Sequence, residues 1–122
     1  MIQNLLLIFL GGGIGSLLRY GVSYTVRQFP ENTFPVATLC SNILSCTIMG
    51  IALGFFAGKI NDNTLRLFII AGICGGFSTF STFSMETLEL MRKGNYVFAF
   101  ANVALSLTLC LIVLAALTKK YA

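Results

Sequence analysis

Gly75-Gly76-Phe77-Ser78-Thr79-Phe80-Ser81-Thr82-Phe83 is the stretch that decides how this chain folds. It lies within a long hydrophobic segment, yet it holds two adjacent glycines, four hydroxyl residues in five positions and three phenylalanines. At bilayer depth, freed backbone groups and hydroxyls are tolerated only where they face protein or a water-filled cavity. The stretch is therefore expected to break its helix and to line a polar pathway.

The surrounding composition sets the class. Of 122 residues, 57% are hydrophobic and only 10% charged, with a mean hydropathy of +0.88. A soluble domain carries about 25% charged residues. Four apolar stretches, residues 5–24, 34–58, 67–90 and 96–117, make up most of the chain. A spanning helix needs about 20 mostly apolar residues, so each is long enough. The expected fold is an all-α membrane protein, a single four-helix transmembrane domain over residues 1–122, with the third helix broken near its centre. The first stretch lacks the basic region and cleavage site of a signal peptide. Gln28-Phe29-Pro30-Glu31-Asn32, residues 59–63 and Arg92-Lys93-Gly94-Asn95 are turn-forming connections with charges at the interfaces. Four helices are too few to enclose a roomy pore, which argues for an oligomer.

The net charge of +4 does not point to nucleic acid, because the basic residues are scattered among the loops. Four spans put both termini on one side, with Lys59, Arg66, Lys119 and Lys120. The other side holds Arg27, Arg92 and Lys93, with Arg19 if it reaches that surface. An excess of Lys and Arg normally fixes the cytoplasmic side, and here there is almost none. The near balance favours dual topology, with two opposed copies pairing as an antiparallel homodimer. The alternative is that a one-charge bias still fixes a single orientation.

Thr38, Ser41, Asn42 and Ser45 fall on one face of the second helix. Such hydroxyls serve either as glue between helices or as a pathway lining. Asn42 weights the choice toward a pathway, because a midmembrane amide needs a partner. Gly50, Gly54 and Gly58 follow at close-packing spacing. In the fourth helix Asn102, Ser106 and Cys110 share a face, a sparse stripe. In the first, Gly11-Gly12-Gly13-Ile14-Gly15-Ser16 fails as a phosphate-binding loop, since Ser16 occupies the last glycine position and no strand precedes it. Tight helix packing is the better reading. Arg19 either snorkels to headgroups or draws anions into a vestibule.

Phe77, Phe80 and Phe83 in a membrane usually pack or face lipid. Their alternation with hydroxyls opens a second role, because a ring edge carries partial positive charge and can meet an anion. The first, second and fourth helices hold no acidic residue, whereas Glu86 lies one turn beyond Phe83. It is expected to cap a pore mouth or join a hydrogen-bond network there. Cys40, Cys46, Cys74 and Cys110 form no CxxC pair and the chain has no histidine, so a disulfide framework or a metal cluster of these side chains is not expected. No base–nucleophile constellation suggests an enzyme.

These motifs resemble the Fluc family of fluoride channels, also called CrcB-like proteins. The agreement runs through Gly11-Gly12, Gly15 and Arg19-Tyr20, then Pro35, Thr38-Leu39 and Asn42, then Gly75 to Ser84. The resemblance implies a fluoride-selective channel for passive export of cytoplasmic fluoride and so fluoride resistance. It implies an antiparallel homodimer with two pores, in the cell inner (plasma) membrane. It gives anion-pathway roles to Asn42, Phe80, Phe83, Ser81, Thr82, Ser106, Asn102 and Arg19, with Glu86 beside them. It also implies a structural sodium ion at the dimer axis, held by backbone carbonyls of Gly75 and Ser78 from both subunits. Asn102 stands where the family frequently has tyrosine, and Cys110 where a hydroxyl is common.

Two other functions fit a short four-helix chain. A small dual-topology proton-coupled multidrug exporter uses a membrane-embedded glutamate in its first helix, and none is present here. A non-transporting membrane scaffold would suit the glycine faces but has no use for a broken, hydroxylated third helix.

Overall fold

The computed structural model describes residues 1–30, 33–56 and 63–119. Glu31, Asn32, Gly58, Lys59, Asn61, Asp62 and Lys120, used above in reading loops, packing and charge balance, lie outside the described residues. The elements are α1 (Ile2–Val26), α2 (Val36–Phe56), α3 (Asn63–Arg66), a π-helical segment (Leu67–Cys74), α4 (Gly75–Phe77), α5 (Phe80–Arg92) and α6 (Tyr96–Thr118). Segments α3 to α5 form one interrupted span, Asn63–Arg92, so among the described residues four helices are long and apolar enough to cross a membrane. The expected spans agree with these to within about four residues at either end.

Local chemistry places the ends. Pro35 precedes α2, where its missing N–H is no loss, and its carbonyl accepts from Leu39 N at 3.2 Å. Helix α5 closes with Gly94 at φ 80°. Asn95 N donates to Leu90 O at 2.8 Å and Gly94 N to Met91 O at 3.1 Å. That paired pattern suits a glycine in the left-handed region and reverses the chain into α6.

Glycines set the packing of α1. A Cβ at Gly11 would strike the Phe68 carbonyl oxygen, and one at Gly15 would strike the Ile73 carbonyl oxygen. Reciprocally, a Cβ at Gly72 would sit 2.8 Å from Gly11 Cα, and one at Gly76 would strike the Gly12 carbonyl oxygen. The α1 backbone therefore lies directly on the π segment and α4, the close approach that small residues permit in a membrane. Gly50 plays the same part between α2 and α6, where a Cβ would come within 2.8 Å of Leu117. Near the other end of α6, Phe34 meets Phe98 edge-on at 6.2 Å.

The interior is unusual for its polarity. Phe77, Phe83, Leu90, Ala52, Cys74 and Ala99 are buried, but so are Thr38, Ser41, Ser45, Thr79, Asn102 and Ser106. Large apolar side chains such as Phe9, Leu17, Val97 and Phe100 point outward. This arrangement suits a bilayer, where lipid gives apolar side chains no reason to turn inward.

Candidate functional site

The helix stops after Phe77. Ser78 (φ −77°, ψ 153°) and Thr79 (φ −148°, ψ 112°) are extended. Every freed donor at the break must be satisfied at this depth. Thr79 N donates to Asn42 Oδ1 at 2.8 Å. Thr79 Oγ1 caps the restarted helix by accepting from Thr82 N at 3.2 Å. The same oxygen donates to Thr82 Oγ1 at 3.0 Å and lies 3.4 Å from Ser81 Oγ. On the other side of the break, Cys74 O accepts from Ser45 Oγ at 3.0 Å, Ser78 Oγ at 2.8 Å and Ser78 N at 3.0 Å.

This wiring has a consequence for two carbonyls. A continuous helix would bring Thr79 N to Gly75 O and Thr82 N to Ser78 O. Both donors are committed elsewhere, to Asn42 and to Thr79 Oγ1. Gly75 O and Ser78 O are thus released from the helical ladder, with Gly75 exposed and Ser78 half-buried. Neutral carbonyl oxygens at a surface fit a hard, weakly demanding monovalent cation such as sodium.

Two cavities flank the break. The first, of about 400 Å³, is lined by Arg19, Arg27, Thr38, Ser41, Thr79, Thr82 and Glu86, among others. Thr38 Oγ1 donates to Glu86 Oε1 at 2.8 Å. Glu86 Oε2 and Ser41 Oγ are buried without a partner among the described residues. With two arginines against one glutamate, this vestibule is net positive.

The second cavity, of about 220 Å³, is lined by Asn42, Cys46, Ser78, Thr79, Phe80, Phe83, Ser106 and Cys110, with Leu107. The Phe80 and Phe83 rings lie 5.7 Å apart and tilted by 39°. Phe83 is buried and Phe80 is 78% exposed. Thr79 lines both cavities, so the Asn42–Thr79 hydrogen bond stands at their common wall.

The structure thus divides the residues read from the sequence. Arg19, Thr82 and Glu86 line the vestibule, whereas Asn42, Phe80, Phe83 and Ser106 line the inner chamber. Ser81 is exposed and approaches only Thr79 among these groups. Asn102 is buried one layer behind: its Nδ2 donates to Thr87 Oγ1 at 2.9 Å, and its Oδ1 accepts from Ser106 Oγ at 3.5 Å. Thr87 in turn donates to Phe83 O at 2.8 Å. Asn102 therefore braces Ser106 and the Phe83 turn and does not itself border the chamber. Sequence reasoning did not single out Thr79 as the cap, Thr87 or Arg27. A threonine directly before a restarting helix carried the signal for the first; nothing local signalled Thr87.

Comparison with known proteins identifies the family. The family described as "CrcB-like protein, Camphor Resistance (CrcB)" matches residues 6–117. A protein of Phocaeicola vulgatus named "Fluoride-specific ion channel FluC" is 41% identical over 107 residues, covering 88% of each chain. One of the same name from Coxiella burnetii is 42% identical over 111 residues, 89% of this chain and 90% of its own. Another from Pyrococcus abyssi is 41% identical over 104 residues, 84% and 82% of the two chains. A broken third span with its glycines, Asn42 and paired phenylalanines, and family agreement over nearly the whole length, lead to one assignment: this multi-pass membrane chain belongs to the CrcB-like family, whose matched members are named as fluoride-specific ion channels and not as enzymes.

Proposed function

We propose that this protein is a fluoride-selective channel for passive export of cytoplasmic fluoride across the plasma membrane. The observation that carries this reading is a polar vestibule and a largely apolar chamber that meet at the Asn42–Thr79 bond inside an otherwise lipid-facing bundle. Arg19 and Arg27 draw the anion into the vestibule. Thr82 and Ser41 offer hydroxyls there, and Ser41 Oγ has no partner among the described residues to give up. Asn42 Oδ1 is committed to Thr79 N, so its Nδ2 is the group left to donate to fluoride. Beyond it come the ring edges of Phe80 and Phe83 and the hydroxyl of Ser106, held by Asn102. Fluoride is small and strongly hydrated, so a narrow path must replace its water with fixed donors, each weak enough to allow exit. Chloride, being larger, gains less from such a path. Weak-acid entry of neutral HF creates the need, and the membrane potential supplies about 2.3 kcal/mol per charge per 100 mV for export.

The whole chain acts as one four-helix domain, and two chains in opposite orientations form the working unit with two pores. Gly75 O and Ser78 O, freed by the break, supply ligands from each subunit to a sodium ion on the axis between them. The ion contributes a fixed positive charge beside the pathways and is not transported. The multidrug-exporter reading finds no support, because α1 carries no acidic residue to take up a proton.

Expression in a bacterium lacking its own fluoride exporter tests the function in cells. Growth should be restored in fluoride at acidic pH, where HF enters fastest. Absence of protection from protein shown to be in the membrane would contradict the proposal.

A further inference from the structure

Two of the four cysteines stand apart. Cys46 on α2 and Cys110 on α6 line the same inner chamber, and both thiols are free and partly accessible. The two residues meet on one cavity wall where α2 packs against α6. Cys74, by contrast, is buried and donates its thiol to Ser45 O at 3.6 Å. Cys40 borders a different cavity, formed with α1 and lined almost wholly by apolar groups.

Two thiols on one cavity wall are soft, and soft ligands select thiophilic metals. Among the described residues no third histidine, cysteine or carboxylate joins a cluster, so the site offers two thiol ligands, the number that a two-coordinate ion needs. Charge favours a divalent ion: two thiolates and one Hg²⁺ give a neutral complex, the state a low-dielectric chamber tolerates best. We propose that Cys46 and Cys110 form a two-coordinate site for a soft, thiophilic cation on the wall of the inner chamber, and that its occupation closes the pathway. With mercuric chloride as the probe, two S–Hg bonds form and two Hg–Cl bonds break. Two thiol protons leave with two chlorides, and no oxidation state changes. The neutral chloride complex can reach the chamber without carrying a cation through an electropositive vestibule. The blocking half of this inference rests on the chamber being the anion path; the binding half does not.

The full-length protein is treated with mercuric chloride, washed with a monothiol to strip singly held metal, and alkylated. Mass spectrometry should find one mercury retained per chain and both Cys46 and Cys110 protected. Protection of both should vanish in Cys46→Ser and in Cys110→Ser, each checked by gel filtration, and persist in Cys40→Ser. Retention that survives either serine variant, or protection confined to Cys40, would overturn the site. In liposomes, mercuric chloride should reduce fluoride release to the level of empty vesicles, with recovery in dithiothreitol. In each serine variant the inhibition, taken relative to that variant's own flux, should be lost. Undiminished release from metal-loaded protein would overturn the block. Protein that releases no fluoride before mercury is added would defeat the channel reading, and the thiol count would still decide the site.

Discussion

Thr79 is the residue on which the break depends. Its backbone N–H is held by Asn42, its hydroxyl caps α5, and the residue borders both cavities. Loss of an N-cap hydroxyl costs about 1 kcal/mol. Thr79→Val should therefore lower the thermal midpoint in detergent, whereas Thr79→Ser, which keeps the oxygen, should not; equal midpoints would remove the cap from the account. Asn102 acts through others. Asn102→Leu leaves the buried Ser106 hydroxyl without its partner, at about 1–3 kcal/mol, and takes a donor from Thr87 Oγ1, which keeps its own bond to Phe83 O. Fluoride flux should fall in that variant, and Ser106→Ala should add little to the loss once Asn102 is gone. Fully additive losses would show that the two do not act together. At the aromatic pair, Phe80→Ile and Phe83→Ile keep apolar bulk but remove the ring edge. Both should slow fluoride release from protein that is still folded, and unchanged flux in both would remove the aromatic role.

At the scale of elements, α1 is held to the third span by backbone contact at its glycines. Gly15→Ala would drive a methyl into the Ile73 carbonyl oxygen, whereas the same change at Gly21 meets nothing within 4 Å. Gly21→Ala should be neutral or gain up to about 1 kcal/mol from helix propensity. Gly15→Ala should sharply reduce the yield of folded protein, and equal yields would contradict the packing. The four spans were legible in the sequence because apolar length alone specifies them, and the break because glycines and hydroxyls crowd one turn. The partner of the break was not legible. Asn42 reaches Thr79 across 37 residues, and only tertiary packing brings them together. Asn102 illustrates the same limit: its spacing puts it on the face of Ser106, but α5 supplies Thr87 to hold its amide behind the chamber. The π-helical turn at Leu67–Cys74 left no mark in a uniformly apolar run. Its backbone lies directly against the glycines of α1.

For the whole molecule, the proposed assembly turns on the freed carbonyls of Gly75 and Ser78. If two opposed copies share a sodium ion there, a single cysteine placed at one loop should label from both sides of the membrane in intact cells. Labelling from one side only would contradict dual topology. Replacing sodium by a bulky organic cation on both faces should abolish flux, and full flux without sodium would remove the ion from the account. The central claim is selective passage of fluoride. The most direct measurement is ion release from liposomes that hold the purified protein, fluoride and chloride, with sodium present on both sides. Rapid release of fluoride with chloride retained is the predicted result; release of neither ion, or of both alike, would contradict it.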